Sequence, residues 1–261
     1  MILVLIIFSI IQLSQEAARA SIPSNISQFN FETSLQPDKD FVKKNQYAIV
    51  ERAHEAEDYW GVHLNEQIKI EILPVSENPY LFQCSRIYDS NRIYAQSPDS
   101  LRHLNGPQRK AFNARCLNSS YADLTSTIIH EYNHILHLRF VGAGPNPLRW
   151  IWEGAAQVLS KQIQSEATRR SYFFSLREFE AINLCKSLPA EELINEIGGL
   201  AVSYYENTKP KILLRLGKAR SVAEVKSILD ANQLPCTLSR EVLLGELRRS
   251  QRASVSSGIH K

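Results

Sequence analysis

The sequence predicts an α+β fold, and three observations carry that reading. Period-two alternation occurs only before residue 120, in "QIKIEILPV" and "NRIYAQ". The strongest helical pattern, "SYADLTSTIIHEYNHILHLRF", follows directly, and what comes after it reads as a succession of helices. The expected layout is therefore a small N-terminal sheet with helices and a mostly helical C-terminal lobe. At 261 residues, 44% apolar and 22% charged, the chain can bury a sizeable core, and one domain over about residues 40–250 is the default.

Residues 1–20 differ in kind. "MILVLIIFSIIQL" is an apolar run of 13, followed by "SQEA" and a small-x-small "ARA" before Ser21. That is the layout of a cleaved secretory signal peptide. A membrane anchor is the alternative, but a spanning helix needs roughly 20 apolar residues. The expected location is secreted or periplasmic, with no stable membrane anchor after signal cleavage. Export makes Cys84, Cys116, Cys185 and Cys236, which show no C-x-x-C spacing, read as two disulfides. Three connectivities are possible, and loop length favours Cys84–Cys116 with Cys185–Cys236. The formal net charge of +3 comes from 30 basic and 27 acidic residues with no basic block until the arginines near the end, so no nucleic acid partner is implied.

The elements follow in order. Residues 21–39, polar and holding two prolines, read as a flexible lead-in. From about 40, Phe41, Ala48, Ile49, Ala53, Ala56, Tyr59 and Trp60 form a helical stripe ended by Gly61. "QIKIEILPV" is a strand with one buried face, and "NRIYAQ" a shorter one. "PQRKAFNARCLNSS" is ambiguous between loop and helix. The helix over 120–140 has Ser120 as its cap and stops at "VGAGPNP". A second starts near "RWIWEGAAQVLSKQI", with further helices at about 168–184, 189–197, 208–217, 221–230 and 239–249. Residues 251–261 read as a disordered tail.

The chemistry is concentrated in "HEYNH". His130 and His134 are four apart, so on a helix they lie about 40° apart around the axis and about 6 Å along it, where both imidazoles reach one metal. Glu131, about 100° round from His130, can act as a general base without being a ligand. The alternative is a helix that is histidine-rich for packing reasons. A third ligand decides between them, because catalytic zinc takes three protein ligands. His137 lies a full turn beyond His134 and is better read as a packing histidine. The pattern HExxHxxGxxH fails, since this chain has His137 and Phe140 where it requires glycine and histidine. The third candidate is Glu153, on the helix that returns after the glycine-proline loop.

With Glu153 the pattern is HExxH-x18-E, and here the sequence resembles the gluzincin metallopeptidases, in particular the short peptidase MA-like domains. These carry P-x-W-x-x-E-G-x-A after the active-site helix; Pro147, Trp150, Glu153, Gly154 and Ala156 match it, with one extra residue between proline and tryptophan. The resemblance implies a zincin-like fold, a Zn2+ ion held by His130, His134 and Glu153, Glu131 as general base, and a peptide or protein substrate. It also implies a sheet-edge strand beside the cleft, for which "NRIYAQ" is the candidate; an interior strand is the alternative. By the same resemblance a tyrosine stabilises the oxyanion, and "YYENTKPKILLRLG" offers Tyr205, with Tyr204 as rival and packing as the alternative role. Gln157 stands where thermolysin-like relatives carry an acid that orients a histidine ligand, so it brings no charge. Trp150 and Trp152 read as core anchors. The expected function is an exported zinc metallopeptidase. A catalytically inactive, zinc-stabilised binding or inhibitory module of the same fold is the alternative.

Overall fold

A computed structural model of the chain describes residues 28–77, 85–111, 120–142, 148–177, 179–186 and 191–258. The signal segment, Cys84, Cys116 and Pro147 lie outside the described residues. The fold is mixed α and β with helix predominating.

The first strand lies inside the segment expected to be a loose lead-in. Phe29–Thr33 forms β1, and helix α1, Gln36–Trp60, begins before residue 40. The physical reason is nonlocal: β1 pairs in parallel with β2, Ile68–Leu73, which satisfies its backbone, while Phe29 packs edge-on against the ring of Tyr132, centroids 5.3 Å apart. Strand β2 alternates buried Ile68, Ile70 and Ile72 with half-buried residues, matching its expected single buried face. Helix α1 ends as expected at Gly61, whose φ of 64° is the left-handed cap conformation that glycine adopts without strain.

Two more strands complete the sheet, β3 at Ser85–Asp89 and β4 at Arg92–Gln96, in the order β1-β2-β4-β3. Strand β4 runs parallel to β2 and antiparallel to β3, so "NRIYAQ" is an interior strand and not the edge. Its consecutive buried residues Ile93, Tyr94, Ala95 and Gln96 fit a strand covered on both faces. Strand β3 is the last strand among the described residues. Two short helices follow, α2 at Pro98–Arg102 and α3 at Gly106–Ala111, the latter overlapping the start of the stretch whose sequence was ambiguous.

The histidine helix is α4, Tyr121–Val141, which packs against α1 and across β3 and β4. Ser120 occupies the cap position, but its hydroxyl donates to Asp123 Oδ2 at 2.7 Å instead of capping an N–H. One buried carboxylate joins the start of α4 to the sheet. Asp38, in the first turn of α1, accepts from Thr33 Oγ1 (3.2 Å), Ser97 Oγ (3.0 Å) and the Tyr121 hydroxyl (2.6 Å).

Beyond the loop lies α5, Arg149–Leu159, then α6, Glu166–Ser175, a strand β5, Ala181–Asn183, and helix α7, Glu191–Thr208. Helices α8, Leu213–Leu216, and α9, Val222–Ala231, a strand β6, Thr237–Ser239, and α10, Arg240–Gly258, close the chain. The helical lobe thus holds a small antiparallel β5–β6 pair that the sequence did not suggest, and α10 runs on past 249 to Gly258. Cys185 and Cys236 are disulfide-bonded beside that pair, in the expected connectivity. Helices α5 and α7 touch backbone to backbone: a Cβ on Gly154 would meet the Gly198 carbonyl oxygen at 2.4 Å, and one on Gly198 would meet the Trp150 oxygen at the same distance. The glycine of "WEGAA" is therefore required by packing. A continuous apolar core, from Phe29 in β1 to Leu247 in α10, joins sheet and helical lobe.

Candidate metal centre

From Ile128 to His137, helix α4 is buried without interruption, including all its polar side chains. Buried polar groups need partners, and most here find them across an element boundary. Ser85 Oγ of β3 donates to Glu131 Oε1 at 2.6 Å. The Tyr132 hydroxyl donates to the Glu57 carboxylate of α1, which also receives Gln28 Nε2 at 2.8 Å. Trp60 Nε1 donates to Asn133 Oδ1 at 3.1 Å, and Asn133 Nδ2 to the Ile129 carbonyl at 2.8 Å. His137 Nε2 donates to the Gly217 carbonyl at 2.9 Å. The two residues inside H-E-x-x-H thus fix the helix's rotation against α1, leaving its other face to His130 and His134.

Those two imidazoles turn their Nε2 atoms toward each other, 3.0 Å apart. Glu153 Oε2, carried in by α5, lies 3.4 Å from His130 Nε2 and 3.8 Å from His134 Nε2. A tetrahedral ion with bonds of about 2.0–2.1 Å holds its ligand atoms about 3.3–3.4 Å apart. The three distances bracket that value, and together the three residues form a group able to hold a metal ion. Burial holds the pKa of His134 well below that of a free histidine, reinforced by His130; Glu153 opposes the shift but does not reverse it. A neutral imidazole keeps the lone pair a metal requires. Two nitrogens and a carboxylate oxygen converge, and a hydrogen bond between the nitrogens satisfies only one pair of them, whereas a cation satisfies all three. The histidines are nearly enclosed, while Glu153 is partly exposed, its side chain retaining 21% of its accessible surface.

The remaining polar atoms of the site depart from the usual pattern. Metal-bound histidines ordinarily donate their second nitrogen to a carboxylate or carbonyl. Here Nδ1 of both His130 and His134 is buried with no hydrogen-bond partner among the described residues. Gln157, read from the sequence as bringing no charge to the site, accepts at Oε1 from the Tyr172 hydroxyl. What flanks His134 is an aromatic ring, Trp152, at 4.6 Å between centroids and 8° between planes. That neighbour was missed from sequence, where Trp152 read only as an anchor; its place immediately before Glu153 was the available signal. Trp150 is the buried anchor it was expected to be.

Two further residues singled out in the sequence lie in these surroundings. His137 is a packing histidine: it lies between Trp60 (4.6 Å, 21°) and Trp152 (5.3 Å, 24°), outside the metal group. Tyr205, expected by resemblance to stabilise an oxyanion, packs in the core of the helical lobe. It is fully buried, and its hydroxyl donates to the Pro235 carbonyl at 2.8 Å, beside the Cys185–Cys236 bridge. The reason is that a buried phenol must find an acceptor, and the nearby β6 turn supplies one. Its neighbour Tyr204 packs against it with ring centroids 5.5 Å apart.

No family model, no curated protein and no solved structure matches the chain, so the geometry of His130, His134, Glu131 and Glu153 is what a functional reading stands on.

Proposed function

We propose that the protein is an exported zinc metallohydrolase of the gluzincin kind, with a zincin-like fold, hydrolysing peptide bonds. The observation that carries this reading is the convergence of His130 Nε2, His134 Nε2 and Glu153 Oε2, with the adjacent Glu131 held by Ser85. Two imidazoles and one carboxylate are a known catalytic zinc set, which leaves a coordination position open. When bound, zinc supplies Lewis-acid polarisation of a carbonyl and lowers the pKa of water to about 7. Glu131 accepts the proton of the attacking water on its carboxylate and returns it to the leaving amine. Ser85 fixes the carboxylate's orientation through Oε1. Strand β3, last in the sheet among the described residues and packed along α4, offers the edge against which an extended peptide would pair.

Export is supported by the apolar leader ending in "ARA" and by the Cys185–Cys236 disulfide; no helix among the described residues is long and apolar enough to cross a membrane. The test is metal content and peptide cleavage of the purified protein. One zinc per chain and turnover are expected. Glu131→Gln keeps the metal and loses turnover, and full activity in that variant overturns the mechanism.

A second reading is favoured by specific observations. Tyr205 is committed to Pro235, Gln157 Oε1 to Tyr172, and both ligand Nδ1 atoms lack acceptors among the described residues. A zinc-stabilised binding or inhibitory module without turnover accounts for all three. Intact zinc binding with no zinc-dependent cleavage across a broad peptide library and pH range decides for it.

A further inference from the structure

We infer that Trp152 is the positioning residue of His134, its indole face holding the imidazole that elsewhere would be held by a hydrogen-bond acceptor on Nδ1. The inference rests on the metal-binding reading and adds to it a residue that the ligand motif does not contain. The two rings lie nearly parallel, 8° apart, at a centroid distance of 4.6 Å, and His134 retains only 5% of its accessible surface. With no acceptor for Nδ1 among the described residues, the indole is what the structure provides to fix the plane of the ring.

Trp152 is itself held. His137 lies against it at 5.3 Å and Trp60 against His137 at 4.6 Å, while His137 Nε2 is tied to the Gly217 carbonyl at 2.9 Å. Gly217 permits this approach, since a Cβ there would meet His137 Nε2 at 3.0 Å and Trp60 Cζ3 at 3.1 Å. Trp60 is anchored in turn by its bond to Asn133. The stacked rings therefore run from the ligand to α1 with their ends pinned. Because Trp152 and Glu153 are consecutive, one turn of α5 delivers both a ligand and the ring that aligns another ligand.

The chemistry gives the contact a direction. A histidine that donates its Nε2 lone pair to a dication loses electron density and its ring becomes positively polarised, whereas the indole face is negative. The stack is thus stronger when the metal is bound than when it is absent, so Trp152 contributes to metal affinity and not only to packing. His130 meets His134 edge-on, at 87°, so it does not share the stacking face in this way.

The test measures Zn2+ dissociation by chelator competition on the full chain, for wild type, Trp152→Phe, Trp152→Leu and Glu153→Ala. Trp152→Leu is expected to weaken binding about tenfold or more, and Trp152→Phe, which keeps an aromatic face, to stay within about threefold of wild type. Equal affinity in Trp152→Leu and wild type overturns the inference, as does a Phe variant no better than the Leu variant. A second readout requires only soluble wild type and the Phe variant. Co2+ should quench the emission of the three tryptophans, and the largest share of the quenching should vanish in Trp152→Phe; unchanged quenching also overturns the inference. Wild type that binds no zinc sinks the metal reading itself. Zinc binding that is lost in Glu153→Ala but intact in Trp152→Leu sinks only the role of Trp152.

Discussion

Ser85 Oγ donates a 2.6 Å hydrogen bond to Glu131 Oε1, joining the last strand of the sheet among the described residues to the residue beside His130, a member of the group able to hold a metal ion. This contact ties the orientation of the carboxylate to the strand that lines the site. Under the proposed hydrolase mechanism, Ser85→Ala is expected to lower turnover about tenfold while leaving metal content and stability close to wild type. Steady-state kinetics alongside metal analysis checks this. A variant that loses zinc as well as turnover would give Ser85 a structural role instead.

The close approach of α5 and α7 gives a sharper stability prediction. A Cβ on Gly154 would lie 2.4 Å from Gly198 O, 2.6 Å from Gly198 C and 2.7 Å from Val202 Cγ2, and two of those three atoms are backbone that cannot rotate away. Gly154→Ala should destabilise the fold by about 3 kcal/mol and displace Glu153 on the same turn. Denaturant unfolding gives the first effect, and weakened zinc binding the second. A variant of wild-type stability is incompatible with the described crossing.

What could be read in advance follows from the range of each interaction. His130, Glu131 and His134 belong to one helix, so their mutual placement is a matter of helical period. Glu153 was reachable because its helix carries a recognisable stretch and returns after a breaker loop. Strand β1 was not legible: five residues at a sheet margin, with only Phe29 buried, take their structure from β2 some forty residues away. The interior place of "NRIYAQ" depends on β3 lying outside it, and pairing order is not encoded in the pattern of a single strand. Tyr205 fits a motif by spacing, yet its hydroxyl donates to the Pro235 carbonyl, 30 residues further along the chain, a partner that local spacing does not encode. Trp152 could be placed beside Glu153, but the identity of the ring it faces is decided by how α5 meets α4.

The disulfide supports the half of the molecule that has the less regular sheet. Cys185 and Cys236 close a chain separation of 51 residues and flank the β5–β6 pair, while Pro235 receives the Tyr205 hydroxyl. On loop entropy, removing the bridge by Cys185→Ser with Cys236→Ser costs about 4 kcal/mol. The predicted outcome is a clear fall in denaturation midpoint for the double variant. A midpoint equal to that of wild type contradicts it.

His137 gives the chain an acid limit independent of catalysis. Its Nε2 donates to Gly217, its Nδ1 is buried without a partner among the described residues, and aromatic rings flank it. Burial pushes its pKa down to about 4; Arg220 adds to the shift and the hydrogen bond to Gly217 partly opposes it. An unfolded histidine titrates near 6.5. Between those values the unfolded chain binds a proton that the folded chain refuses, so the contribution is fully present above pH 6.5 and declines as the pH falls toward 4. The difference amounts to about 3 kcal/mol. Glutamine at 137 can still donate to the Gly217 carbonyl but does not titrate. Stability of metal-free wild type and His137→Gln should therefore converge as the pH is lowered from 6.5 to 4, by about that amount. Denaturant titrations at steps across the interval measure it, and a gap that stays constant with pH would show that His137 is not the group responsible.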